Sequence, residues 1–217
     1  MDVNKAEYSK SVFINCPFDE EYVPIFHAIT FTLRFANFIP RSALETSDAG
    51  EERLSKISRA IQSCQYGIHD VSRVEFGATA STSLPRFNMP FECGLFFGAL
   101  HFGSKQQKSK KLLILDSERY RFQKTLSDIA GKDPSAHNNN PAEAIACVRS
   151  FLADKPGAEG LPGEEFIQQK YAAFQKELPT ILGDFKLNGK EIVKAAYWKD
   201  YVKIVDKYLT RRLPPTA

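Results

Sequence analysis

The run Lys111–Asp116, KLLILD, constrains this chain more than any other stretch. Four consecutive aliphatic residues leave no polar face, so a strand built from them needs cover on both sides. That requirement predicts a parallel sheet, and the sequence before it supplies the partners. Ser11–Cys16, SVFINC, is a short β-type run closed by Pro17, and Tyr66–Val71, YGIHDV, is another. Phe38–Leu44, FIPRSAL, reads as a strand whose internal Pro40 points to a sheet edge or an early end. Helical patterns lie between these runs. Asp19 can cap a helix in which Tyr22, Ile25, Phe26, Ile29 and Leu33 recur at three- and four-residue spacing. Asp48, with Gly50, Glu51 and Glu52 after it, opens a helix through Ile61 with Leu54, Ile57 and Ile61 on one face. Pro90 stands in the first turn of a third helix reaching about Leu100. Strands separated by helices of this length join through right-handed crossovers, so the expected class is α/β, a three-layer sandwich with a parallel sheet.

The second half reads as mostly helical. A short helix is expected over Arg121–Ile129, and Asn138-Asn139-Asn140-Pro141 is a loop that caps a helix over Ala142–Leu152. The segment Lys155–Gly163, rich in Pro and Gly, is a turn or linker. Helices follow over Glu164–Leu178 and Gly189–Leu209, with a break around Gly183. The expected organisation is an α/β domain over residues 8–153 and a helical C-terminal extension over 164–212. Between Lys186 and Arg212 stand eight basic residues against three acidic ones. A solvated helix face is the simpler use of that charge, so nucleic acid is disfavoured as a partner.

With 43% hydrophobic and 25% charged residues, the chain has the composition of a globular protein, which excludes intrinsic disorder. No apolar run approaches the length of a membrane span, and the first residues do not have the form of a signal peptide. Cys16, Cys64, Cys93 and Cys147 are far apart and form no CxxC, so buried free thiols are expected rather than a disulfide framework or a metal site. A cytoplasmic location follows as the expectation. The absence of any glycine-rich loop excludes a Walker A site and a GxGxxG dinucleotide fingerprint.

In an open parallel sheet, ligands bind beyond the carboxyl ends of the strands. Three segments place polar groups there. At the exit of the first strand, Asn15 is followed by Pro17 and Phe18, a stiff and partly apolar rim. At the exit of the third, His69 and Asp70 stand on opposite faces by strand alternation. Asp70 suits a sugar hydroxyl or the capping of the next turn, and His69 suits a general base or a structural role. The third segment, Leu84–Leu95, LPRFNMPFECGL, carries a polar loop into an almost wholly apolar helix. Glu92 is the only acid between Glu75 and Asp116 and falls in the helix's first turn, with Arg86 and Asn88 before it. A carboxylate there either serves the positive end of the helix or points into a pocket.

Strand-end Asn15, strand-end Asp70 and the segment MPFECGLFFGA together resemble the nucleoside 2-deoxyribosyltransferase-like and TIR-like α/β proteins. The pattern VFINCPFD…LPRFNMPFE also looks like an uncharacterised bacterial branch of that group. The resemblance covers roughly Ser11–Asp116. It implies a flavodoxin-like sheet and chemistry at the anomeric carbon of an N-glycosidic bond. The substrate would be NAD, a nucleoside or a nucleotide, and no resident cofactor is implied. Glu92 matches the family's catalytic carboxylate, and Asp70 matches an acid placed near the sugar. The chemistry agrees, because a carboxylate can stabilise an oxocarbenium-like sugar or form a covalent glycosyl intermediate. Arg41, Arg73 or Arg86 can hold a phosphate, Phe18 can stack a base, and Asn15 and Asn88 can bind polar groups. Arg41 is also four residues from Glu45, so a plain ion pair competes with that role. The expectation is therefore an enzyme that hydrolyses or transfers at an N-glycosidic bond. The alternatives are a nucleotide-binding sensor or signalling module without efficient turnover, and an interaction scaffold. Apolar residues run nearly all round the helix Phe91–Phe102, so a homo-oligomer is expected.

Overall fold

The computed structural model describes residues 4–45, 50–73, 87–124, 126–127 and 133–212. The protein is α/β with a parallel sheet, and its contacts group the chain into two units, residues 1–17 with 40–139 and residues 18–39 with 140–217.

The first unit is built on the sheet. Its strands are β1 (Ser11–Asn15), β2 (Ile39–Arg41), β3 (Tyr66–Asp70), β4 (Lys111–Asp116) and β5 (Ser135–Ala136), in the order β2-β1-β3-β4-β5. β1 pairs parallel with β3, β3 with β4, and β4 with β5. Phe13, Gly67 and Leu112 lie in one row across the sheet, as do Asn15, His69 and Ile114. β4 has the bounds that its aliphatic run predicts. Its residues Leu113–Leu115 are buried on both faces, as are all five residues of β1 and of β3. β2 is shorter than FIPRSAL suggested and takes the edge, where Pro40 deprives no interior ladder of a donor. Ala43–Glu45 after it is a 3-10 turn. β5 was not anticipated, because two residues are too few to show a periodicity.

Helix α1 (Lys5–Tyr8) precedes β1, and α3 (Arg53–Gln62) and α4 (Asn88–Phe102) pack on the sheet. Ile57 and Ile61 of α3 and Phe96 of α4 bury with Phe13 and Cys64. Leu54, expected on the same helical face, is 40% exposed. Gly67 is required by this packing. A Cβ there would stand 2.7 Å from His69 Nε2 and 2.8 Å from the Phe96 ring, closer than real contacts allow. Lys110 is an unexpected core residue, 1% exposed. Its ammonium donates to Ile61 O at 2.6 Å and to Cys64 O, and lies 4.6 Å from the Phe96 ring centre. It thus closes the C-terminal end of α3 from inside, and burial lowers its pKa to about 8. The helix expected over Arg121–Ile129 is a 3-10 turn over Arg121–Lys124, and the positions after it are only partly described. Asp48 lies outside the described residues.

The second unit is helical, comprising α2 (Val23–Phe35), α5 (Pro141–Leu152), α6 (Glu164–Asp184), α7 (Gly189–Ile192) and α8 (Trp198–Arg212). Asp19 Oδ1 accepts from Tyr22 N at 3.1 Å at the entry to α2. Asn140 Oδ1 accepts from Ala142 N at 2.8 Å and caps α5. Phe31 of α2 stacks on Phe174 of α6, with ring centres 5.3 Å apart, in an apolar cluster that includes Tyr201 and Ile204 of α8.

The last helices differ from their sequence reading. α6 runs through Pro179 to Asp184, because buried Leu178, Ile181 and Leu182 anchor the helix on both sides of the one missing donor. The break comes later, at Lys186, whose φ of 55° is left-handed. Asn188 and Glu191 then form a capping box that starts α7. A 3-10 turn over Ala195–Tyr197 separates α7 from α8, whose first residue Trp198 donates to Thr30 Oγ1 at 3.1 Å. The basic C-terminal face carries ion pairs, Lys207 to Asp184 at 3.1 Å and Lys203 to Asp200 at 3.3 Å. None of the four cysteines is in a disulfide; three are buried and Cys147 is partly so. Among the described residues, no helix is long and apolar enough to cross a membrane.

Candidate functional site

The carboxyl ends of β1 and β3 meet the N-terminus of α4 through one side chain. Asn15 Nδ2 donates to Met89 O at 2.8 Å and lies 3.1 Å from His69 Nδ1. Asn15 is 2% exposed, so its amide works inside the protein, fixing the first turn of α4 against the strand ends. His69 is fully buried, edge-on to Phe96 with ring centres 4.9 Å apart. Burial, with a smaller contribution from Lys110, pushes its pKa down to about 3. The ring is neutral at pH 7. With Nδ1 accepting from Asn15, the proton sits on Nε2, which has no hydrogen-bond partner among the described residues. His69 is therefore a structural support for Asn15.

Glu92 lies one turn further along α4. Its side chain is 7% exposed, and the Arg53 guanidinium, itself 63% exposed, approaches Oε1 at 3.7 Å. Burial raises the Glu92 pKa, and Arg53 opposes that shift without cancelling it. The carboxyl thus stands beside the N-terminus of α4, at the end of the sheet where β1 and β3 are neighbours, and among the described residues its ion pair is long and solvated.

Asp70 occupies a different setting. Strand alternation and register put it on the sheet face opposite Asn15 and His69. It is fully buried. Oδ1 accepts from Ser72 N at 2.8 Å, and Oδ2 lies 2.9 Å from His137 Nε2. His137 Nδ1 accepts from Asn139 N at 3.0 Å. His137 directly precedes the Asn138-Asn139-Asn140 loop. Only its Asn neighbours are exposed, while His137 itself is 0% exposed. At the next strand end, Asp116 Oδ1 accepts from Arg121 Nε at 2.8 Å and Nη2 at 2.6 Å. Arg121 Nη2 also reaches Val71 O at 3.0 Å. These groups join the ends of β3, β4 and β5 into one buried polar cluster.

The other expected site residues are dispersed. Arg41 Nε pairs with Glu45 at 2.7 Å and Nη1 with Glu7 at 3.3 Å, the ion-pair use that its spacing allowed. Arg73 is half-buried just past β3, and Asn88 is exposed at the start of α4. Phe18 belongs to the second unit, edge-on to Phe26 with ring centres 5.5 Å apart. Arg86 lies outside the described residues. Sequence reasoning misses Arg53, because nothing in its spacing relates it to Glu92. Among the described residues, no group of three or more His, Cys, Asp or Glu side chains is arranged to hold a metal ion.

No family model matches the chain, and neither a curated protein nor a solved structure matches it.

Proposed function

We propose that the protein hydrolyses or transfers at the N-glycosidic bond of a nucleotide-like substrate, NAD or a nucleoside or nucleotide, with Glu92 as the carboxylate at the anomeric carbon. The observation that carries this reading is the state of Glu92, a largely buried carboxyl with a raised pKa at a helix start, whose ion pair among the described residues is with exposed Arg53 at 3.7 Å. Perturbed carboxyls of this kind concentrate at catalytic sites. The strand order supports it further, because β2-β1-β3-β4-β5 is the flavodoxin-like order, whose ligand crevice opens at the β1/β3 reversal. Asn15 ties α4 to that reversal, so it acts as a positioning residue. Asn88, exposed one turn before Glu92, is the binding candidate next to it. Asp70 contributes through the buried His137 pair, holding the β3 exit in place.

That same pair favours a second reading. Both Asp70 oxygens are engaged and the side chain is inaccessible, so a mechanism needing two free carboxylates lacks one. A nucleotide-binding sensor without efficient turnover would bind at the same strand ends and lose the chemistry. Incubation with NAD and a panel of nucleosides and nucleotides, read by chromatography, separates the two. Released base supports catalysis; a raised melting temperature with intact ligand supports the sensor. Neither release nor stabilisation by any member of the panel contradicts both. A homo-oligomer remains part of the proposal, supported by Phe91 and Phe102 of α4, which are 56% and 90% exposed. A monomeric mass by light scattering at micromolar concentration removes it.

A further inference from the structure

Helix α4 has two unlike faces. Met89, Glu92, Cys93 and Phe96 are buried against the first unit, while Phe91 and Phe102, with Phe87 just before the helix, are 56%, 90% and 66% exposed. At 3.6 residues per turn these three rings share the outer face with Gly94, Gly98 and His101. Glu92 is the only charged residue from Asn88 to Phe102, and it lies on the buried side, so the outer face carries no charge along the whole helix. A helix face turned to water ordinarily carries polar and charged residues.

Gly94 and Gly98 stand in the middle of that face. A Cβ at either position meets nothing within 4 Å among the described residues, so packing within the chain does not call for glycine. Glycine inside a helix lowers its stability relative to alanine, and its use there is to let another backbone come close. The face also reads alike from both ends, because Phe91, Gly94, Gly98 and Phe102 run large, small, small, large. Reversed, it fits itself, which is the requirement on a two-fold interface between identical chains. The three exposed rings alone offer about 400 Å² of apolar surface per copy, about half of what one partner contributes to a stable interface.

We propose that two copies of this chain pair through α4, antiparallel about a two-fold axis near residue 96. Phe91 of one copy then packs against Phe102 of the other, and Gly94 against Gly98, where the two backbones cross most closely. The inference rests on the homo-oligomer of the preceding reading and names its interface. Phe91 adjoins Glu92 and Asn88 is exposed one turn before it, so the second copy borders the proposed site.

Light scattering on the full chain at micromolar concentration should give twice the 24.4 kDa chain mass. Phe102→Glu should give a monomer, because each new carboxylate would be buried against a Phe91 ring without a counter-charge. Circular dichroism should show that variant folded, since the side chain it replaces is 90% exposed. Adding Phe91→Lys to Phe102→Glu should restore the dimer, each lysine meeting the glutamate of the other copy. The two positions lie about 16 Å apart along one helix, so that pair cannot form within a chain. Gly94→Leu, placed where the single chain has open space, should weaken the dimer about ten-fold or more. A monomeric wild type overturns both the homo-oligomer and this interface. A dimer that survives Phe102→Glu, that Phe91→Lys fails to restore, or that keeps wild-type affinity in Gly94→Leu overturns the interface and leaves the homo-oligomer standing.

Discussion

Replacing Glu92 with glutamine is expected to lower base release by about a thousand-fold while the protein folds as before. Glutamine keeps the side chain's size and its hydrogen-bonding reach, but it cannot offer negative charge to a sugar developing oxocarbenium character. The stability effect has the opposite direction. Burial raises the Glu92 pKa above that of the unfolded chain, so the folded state favours the protonated form. The stabilisation from that shift is complete below the ordinary glutamate range and is lost as pH rises through the raised value. At pH 7 the ionised carboxylate is therefore a burden on the fold, and Glu92→Gln should melt no lower than wild type. The difference should shrink on acidification to below the ordinary range. Wild-type turnover should fall on the acid side with a midpoint above the ordinary glutamate value. Melting curves at two pH values and a pH–rate profile check both limbs. A variant that melts well below wild type at pH 7 would make Glu92 a structural cap.

Phe96→Ala should produce the largest loss of stability in the first unit. Phe96 is 0% exposed and joins α4 to Phe13, Ile57, Ile61 and Cys64. Truncating a phenylalanine in such a position costs about 3–5 kcal/mol, from lost burial and the cavity left behind. Two further partners lose their contact surface, the His69 ring at 4.9 Å and the Lys110 ammonium at 4.6 Å from the ring centre. The consequence reaches the site, because His69 supports Asn15 and Asn15 holds the first turn of α4. Chemical denaturation should show the loss, and ligand binding near Glu92 should weaken even where the variant remains folded. A loss below about 1 kcal/mol would mean that the site can collapse around the gap.

Much of the sheet was legible because its signals are local. KLLILD has no polar face, Pro40 marks an edge, and SVFINC and YGIHDV are short apolar runs between turn residues. The parallel pairing of β1 with β3 follows from the helices that separate them. What sequence could not show was pairing across distance. Lys110 reads as a surface lysine until Ile61 O and Cys64 O converge on it. His137 sits before three asparagines, which signal a turn, and its approach to Asp70 exists only because β5 runs beside β4. The end of α6 was misplaced for a related reason, since Pro179 and Gly183 are local breakers and the apolar contacts that override them are tertiary. Glu92 was singled out by its isolation among apolar residues. Its exposed partner Arg53 had no comparable signal.

The central claim is that a sugar's anomeric carbon lies against Glu92. A crystal structure of the Glu92→Gln protein with NAD, or with whichever nucleoside the wild type cleaves, measures that directly. The account predicts an intact ligand whose anomeric carbon is within about 4 Å of the residue 92 side chain, a distance compatible with attack. A well-ordered ligand whose sugar lies on the order of 10 Å or more from residue 92, beyond the reach that proximity catalysis requires, would contradict it.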